Sequence, residues 1–130
     1  MSVFRSAEQA RAVFTQLFEI LLKDEQFVER LRSGGLSVHL IQSKPELEFY
    51  VDPDSVVEGP PPAPAAVRIT MSCDTAHAMW QGRLLMPVAL ATGRVRIKGS
   101  VAKVLELVPI LRPAFDRYPQ IAAEHGVEVG

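Results

Sequence analysis

The sequence predicts an α+β fold, in which helices precede and follow four mostly antiparallel strands. Apolar residues recur at helical spacing near both ends of the chain, and between them the period changes to two. A chain of 130 residues is long enough for one core. We therefore expect residues 1–130 to form a single domain.

Two helices are predicted ahead of the sheet. Ser6 and Gln9 have the spacing of a capping box, and an apolar stripe from Val13 to Leu22 follows at helical spacing. Asp24 can cap a shorter second helix, which we expect to end at Gly34. The stripe of the first helix is wide enough to contact more than one partner.

Alternation of apolar and polar residues predicts three antiparallel strands, over 36–41, 46–52 and 67–74. The segment at about 53–66 contains a run with four prolines in nine residues, which removes backbone donors and favours an extended, exposed loop. A fourth strand over 94–98 alternates basic and apolar residues. We expect this strand to have one charged face.

Two short helices are predicted between the strands over 67–74 and 94–98. Asp74 or Thr75 can cap a short helix that ends at Gly82. Pro87 favours the start of another short helix, which Gly93 ends. The run from Leu84 to Gly93 carries no charge and is the most apolar region of the sequence.

Ser100 is expected to cap the last main helix, which prolines 109, 113 and 119 should kink or divide. Leu107 and Ile110 lie outside its apolar stripe. They are interpreted as a lid, a membrane-docking edge or a dimer contact, with rotation of the helix at its prolines as the alternative. Residues from about 119 to 130 are predicted to be a C-terminal tail.

Composition excludes several classes of function. The net charge of -1 makes a nucleic-acid partner a poor fit. The single cysteine, Cys73, cannot form an internal disulfide or by itself a structural zinc site, which suits a reducing compartment. The uncharged run Leu84–Gly93 is far shorter than the roughly 18 residues of a membrane span. We expect a cytoplasmic protein without metal or cofactor.

The predicted order of two helices, three strands, two short helices, a strand and a helix is uncommon. Three motifs lie within it, namely the alternating strand 67–74, the short helix ending in Trp80-Gln-Gly82, and Pro87 through Gly93-Arg-Val-Arg-Ile-Lys-Gly99 opening a helix. This order resembles the sterol carrier protein type two family, from about Phe14 to Leu111. The resemblance implies a single, mostly antiparallel, curved sheet of about four to five strands covered on one face by helices. It also implies a tunnel between sheet and helices that holds sterols, fatty acyl chains, acyl-CoA or phospholipids, with no catalytic residue and no cofactor.

The stretch from Leu84 to Leu111 is therefore predicted to form the wall of an apolar ligand cavity, with ordinary core packing as the alternative for each residue. Arg83, Arg94, Arg96 and Lys98 are candidate headgroup contacts, with a solvated strand face as their alternative. The predicted lipid contacts are Phe14, Leu17, Phe18, Met79, Trp80, Leu84, Leu85, Val88, Leu90, Ala91, Val101, Leu105, Val108 and Leu111.

Cys73, Asp74 and His77 form the one local cluster with the residue types of nucleophilic catalysis, but their spacing matches no catalytic or zinc motif. The function predicted is non-catalytic binding of a lipid or sterol-like molecule, with transfer or presentation to an enzyme and transient membrane contact, by a monomer or homodimer. An accessory or interaction subunit without a free cavity is the alternative. A small hydrolase using Cys73 and His77 is a third possibility.

Overall fold

The computed structural model of the chain describes residues 3–127. A 3₁₀ turn at Val108–Leu111 joins the fifth helix to the sixth. The helices are α1 (Ala7–Leu22), α2 (Glu25–Ser33), α3 (Cys73–Trp80), α4 (Met86–Ala91), α5 (Val101–Leu107) and α6 (Arg112–Glu124), and the strands are β1 (Val38–Ser43), β2 (Leu47–Val51), β3 (Val56–Glu58), β4 (Val67–Ser72) and β5 (Val95–Lys98).

The strands form one open sheet in the order β3-β2-β1-β4-β5. Three neighbouring pairs are antiparallel, but β1 and β4 are parallel. The prediction of three antiparallel strands is therefore wrong for β4. The parallel direction of β4 results from the presence of β3, which lies inside the predicted loop and occupies the free edge of β2. Because that edge is taken, β4 pairs with the other edge of β1, where it runs parallel.

Helices cover one face of this sheet, as predicted. Along β4 the side chains of Val67, Ile69 and Met71 are buried, whereas those of Arg68 and Thr70 are exposed. This alternation separates an inner face beneath the helices from an outer face. Within the described residues, no helix is both long and apolar enough to cross a membrane.

Local capping explains where the helices begin. The hydroxyl of Ser6 and the carboxylate of Asp24 accept backbone N–H groups at the starts of α1 and α2, which confirms both predicted caps. The short helix α3 is present, but its predicted cap is wrong, because Ser72 rather than Asp74 or Thr75 is the cap. The Ser72 hydroxyl accepts the N–H of Thr75 at 3.0 Å. The helix thus starts directly from the end of β4.

Prolines divide the last helical region as predicted. The region starts at the predicted cap Ser100, Pro109 lies in the 3₁₀ turn, and Pro113 lies in the first turn of α6. The predicted tail is wrong from residue 119 to Glu124, because α6 continues through Pro119 and packs its apolar side against α1. The last three residues of that tail, 128–130, lie outside the described part of the chain.

Leu107 and Ile110 are both buried, with exposed fractions of 6% and 7%. They therefore do not form an exposed docking edge. The alternative, a rotation of the helix at its prolines, describes them: the chain turns at Pro109 and directs both side chains inward.

Candidate functional site

An apolar cavity of about 120 Å³ lies between the inner face of the sheet and the helical layer. Every residue that lines it has an apolar side chain. They are Phe18, Leu21, Phe27, Val38, Leu40, Val51, Ile69, Met71, Ala76, Met79, Trp80, Met86, Val104, Leu107, Val108, Leu111 and Phe115.

The sheet forms one wall of the cavity through its period of two. Val38 and Leu40 of β1 lie in register with Val67 and Ile69 of β4, and Val51 of β2 pairs with Val38 from the other side. Alternate side chains of a strand point to the same face, so these positions all face the helices. The wall is therefore set by strand register.

The helical walls come from two places in the sequence. In α3 the spacing of Ala76, Met79 and Trp80 places all three side chains on one side of the helix. Beyond them, the path from α5 through the 3₁₀ turn into α6 contributes five lining residues. These are Val104, Leu107, Val108, Leu111 and Phe115.

The structure brings five of the predicted lipid contacts to this cavity. They are Phe18, Met79, Trp80, Val108 and Leu111. The remaining ones lie elsewhere. Phe14 and Leu17 are fully buried in the core beside it, and Leu84, Leu90 and Leu105 are partly exposed.

Four predicted contacts are exposed. Leu85 and Val88 have exposed fractions of 64% and 49%, and Ala91 and Val101 also face solvent. In α4 only Ala89 is fully buried. The charge-free run thus contributes a single residue, Met86, to the cavity.

Several lining residues were missed by sequence reasoning. Those on the strands carry a signal that could have found them, because they occupy the buried phase of the alternation. Phe115 carries no such signal, since the 3₁₀ turn before it changes the helical phase, whereas Leu107 follows the lining residue Val104 by three positions in α5. Leu21 and Phe27 belong to apolar stripes that equally predict core.

The candidate headgroup contacts do not reach the cavity. Arg96 and Lys98 are paired in register with Thr70 and Arg68, which places them on the outer face of the sheet, opposite the helices. Arg94 and Arg83 are exposed and are not among the lining residues. The solvated strand face, the alternative interpretation, agrees with this placement of Arg96 and Lys98.

Cys73 and His77 are not arranged as a nucleophile with its base. The Cys73 thiol donates to the carbonyl of Pro45, with sulfur and oxygen 3.2 Å apart. Burial, assisted by the carboxylate of Asp74, raises the pKa of Cys73 to about 12, so the thiol is protonated at neutral pH. His77 Nδ1 shares a buried 2.7 Å hydrogen bond with the hydroxyl of Tyr118.

The Tyr118 hydroxyl is itself neutral, because burial and then the nearby Cys73 raise its pKa. This pair joins α3 to α6 inside the core. Within residues 3–127, no group of His, Cys, Asp and Glu side chains is placed to hold a metal ion.

One buried polar side chain stands out on the inner face of β1. Gln42 is 1% exposed, and neither atom of its amide has a hydrogen-bond partner among the described residues. Its register partner on β4 is Met71, which lines the cavity. A buried amide of this kind carries the cost of lost hydration without a replacement bond.

No family model and no curated protein matches the sequence. Solved structures, in contrast, do match this chain. Sterol carrier protein 2 from Yarrowia lipolytica, in its apo form, superposes with a TM-score of 0.61 at 19% identity over 76% of this chain and 89% of that one. The sterol carrier protein domain 2 of Helicoverpa armigera gives 0.63 at 18% identity over 82% and 90%. The chain has the sterol carrier protein 2 fold.

A third sterol carrier protein 2, from Aedes aegypti, was solved in complex with the C16 fatty acid palmitate. It has a TM-score of 0.52 and 18% identity over 75% of this chain and 96% of that one. The resemblance predicted from the motifs after Val67 is therefore confirmed at the level of the fold. In the present sterol carrier protein 2 fold, the apolar cavity lies between the sheet and its helices.

Proposed function

We propose that this protein binds a lipid non-covalently in the apolar cavity and performs no chemistry on it. The observation that carries the proposal is the lining, which consists of apolar side chains only. The fold supports it, because a protein with the same fold was solved with palmitate. The thiol of Cys73 donates to a backbone carbonyl and its pKa is raised by burial, which supports a non-catalytic role.

Burial of an acyl chain supplies the binding energy. Each CH₂ removed from water contributes about 0.8 kcal/mol, so about ten of them give a gross gain near 8 kcal/mol. Part of this gain is offset by the loss of ligand freedom. A lining without specific polar contacts is therefore sufficient for useful and reversible affinity.

Cavity size sets a condition on the ligand. A dry cavity of about 150 Å³ in another protein holds benzene, so the present 120 Å³ suits only a fragment of a lipid unless the walls move. Three of the four methionines of the chain, Met71, Met79 and Met86, line the cavity. Their flexible side chains adapt to irregular ligands, which supports expansion around a longer chain.

Reversible binding of this kind suits transfer of a lipid between membranes or its presentation to an enzyme. The cytoplasmic location, the oligomeric state and transient membrane contact stay predictions. The alternative function, an interaction subunit whose cavity holds no ligand, differs from the proposal in one measurable respect, which is the affinity for lipids.

The test compares one cavity residue with one exposed residue of similar character. Bound cis-parinaric acid is displaced by palmitate in the wild type, in Met79→Trp and in Leu85→Trp. We expect Met79→Trp to weaken palmitate binding at least about tenfold, or about 1.4 kcal/mol, because the indole fills the cavity. Leu85→Trp adds the same ring at the surface and should leave affinity unchanged.

Melting temperatures measured on the same samples verify that both variants are folded. If the wild type binds neither cis-parinaric acid nor palmitate, the proposal is contradicted and the alternative function as an interaction subunit is favoured. Equal effects of the two substitutions would place the lipid outside this cavity.

A further inference from the structure

An open depression on the surface adjoins the cavity. Trp80, Val108 and Phe115 line both, so these three side chains form the wall between them. On its outer side the depression is also lined by Arg112 and Asp116. It lies where the end of α3 meets the 3₁₀ turn and the start of α6.

The separating wall is one side chain thick. The rings of Trp80 and Phe115 are in contact, with centroids 5.1 Å apart and planes inclined by 47°. Trp80, Val108 and Phe115 are each partly exposed to solvent. Rotation of the two rings away from each other would therefore widen the passage between the cavity and the depression without displacement of the sheet.

Charge is distributed unequally across this wall. The cavity lining has no ionisable side chain, so a carboxylate inside it would lose its hydration without a partner. Arg112 lies in the depression, and the described residues offer its guanidinium no ion pair. A guanidinium binds a carboxylate through two parallel hydrogen bonds.

We propose that the contact between Trp80 and Phe115 is the gate of the cavity, and that Arg112 binds the carboxylate of a fatty acid whose chain passes through this gate. The inference rests on the proposed function and specifies it: the ligand is a single-chain fatty acid, held with its tail inside and its head in the depression. Asp116, on the same side of α6, weakens the attraction for the anion.

The first experiment separates charge from chain. Dodecanoate and 1-dodecanol compete at pH 8 for cis-parinaric acid bound to the wild type, Arg112→Gln, Asp116→Asn and the control Arg117→Gln. Arg117 is exposed on α6 but does not line the depression. We expect Arg112→Gln to weaken the binding of dodecanoate about fivefold to tenfold, because a partly solvated charged hydrogen bond is lost. The affinity for 1-dodecanol should not change.

Asp116→Asn should strengthen dodecanoate binding by about twofold to threefold, since it removes a like charge near the carboxylate. Arg117→Gln should change the affinity for neither ligand. The inference is overturned if Arg112→Gln weakens both ligands equally or neither of them. Binding of neither ligand by the wild type overturns the proposed function as well, so the two failures are distinguishable.

The second experiment uses Trp80, the only tryptophan of the chain, as a probe at the gate. Bromine quenches indole fluorescence at contact. With the head in the depression, 2-bromododecanoate should quench Trp80 more strongly than 12-bromododecanoate, whose bromine lies deep in the cavity. The reverse order would place the head inside and overturn the inference.

Discussion

Two segments of this chain differ in how many side chains they contribute to the cavity. The run from Leu84 to Gly93 carries no charge, yet Leu85 and Val88 are exposed and only Met86 reaches the cavity. The segment from Leu107 to Phe115 includes two prolines and an arginine, yet it supplies four of the lining side chains. Absence of charge therefore indicates burial less well than the direction in which the backbone presents each side chain.

Length and phase explain the difference. The helix α4 has six residues, less than two turns, so its buried side is little more than Ala89. In the other segment the 3₁₀ turn at Val108–Leu111 has three residues per turn instead of 3.6. This shift rotates α5 relative to α6 and keeps both apolar sides directed at the cavity.

Truncation of one leucine in each segment tests the comparison with the largest expected effect. Leu107→Ala removes a buried side chain and should lower the free energy of unfolding by about 2–4 kcal/mol. Leu85→Ala should change it by less than about 0.5 kcal/mol, since Leu85 is exposed. Urea denaturation followed by circular dichroism measures both, and similar losses would contradict the assignment of the two segments.

The helix α6, which continues directly from the proline-containing segment, is attached to α3 by a buried hydrogen bond. Tyr118→Phe removes the buried hydrogen bond to His77 and should cost about 1–2 kcal/mol. Tyr50→Phe is the matched control, a buried tyrosine whose hydroxyl has no hydrogen bond within the described residues. If thermal unfolding shows equal shifts for the two variants, the hydrogen bond between α3 and α6 does not stabilise the fold.

The smallest effect is expected on the sheet wall beside the cavity. Gln42→Leu replaces an unpartnered buried amide with an apolar side chain and should raise the free energy of unfolding by about 1 kcal/mol. Gln26→Leu, on the exposed side of α2, is the control and should be nearly neutral. A loss of stability in Gln42→Leu would show that water or another group satisfies the amide.

Local signals made much of the fold predictable. The hydroxyl of Ser6 and the carboxylate of Asp24 cap their helices because capping depends on a few neighbouring residues. The strand β3 was not predictable in this way, since it has three residues and lies next to the proline-rich run. Without it, the edge at which β4 pairs could not be inferred, nor could its parallel direction.

The candidate site was predictable in part for the same reason. Met79 and Trp80 lie on a short helix whose position follows from the strand before it. Leu107 lies outside the apolar stripe that the sequence predicts, yet in the structure it follows Val104 by three residues on the side of α5 that lines the cavity. The Arg112 depression depends on two helices that meet only in the folded chain, so no local pattern indicates it.

Titration of the methyl-labelled protein with dodecanoate, followed in ¹³C-¹H correlation spectra, tests most directly whether a lipid binds between the sheet and its helices. We expect large shifts for Leu107, Val108 and Leu111, which line the cavity, and unchanged signals for Leu85 and Val88. Shifts confined to Leu85 and Val88, or saturation without shifts in the first group, would contradict a lipid site between the sheet and its helices.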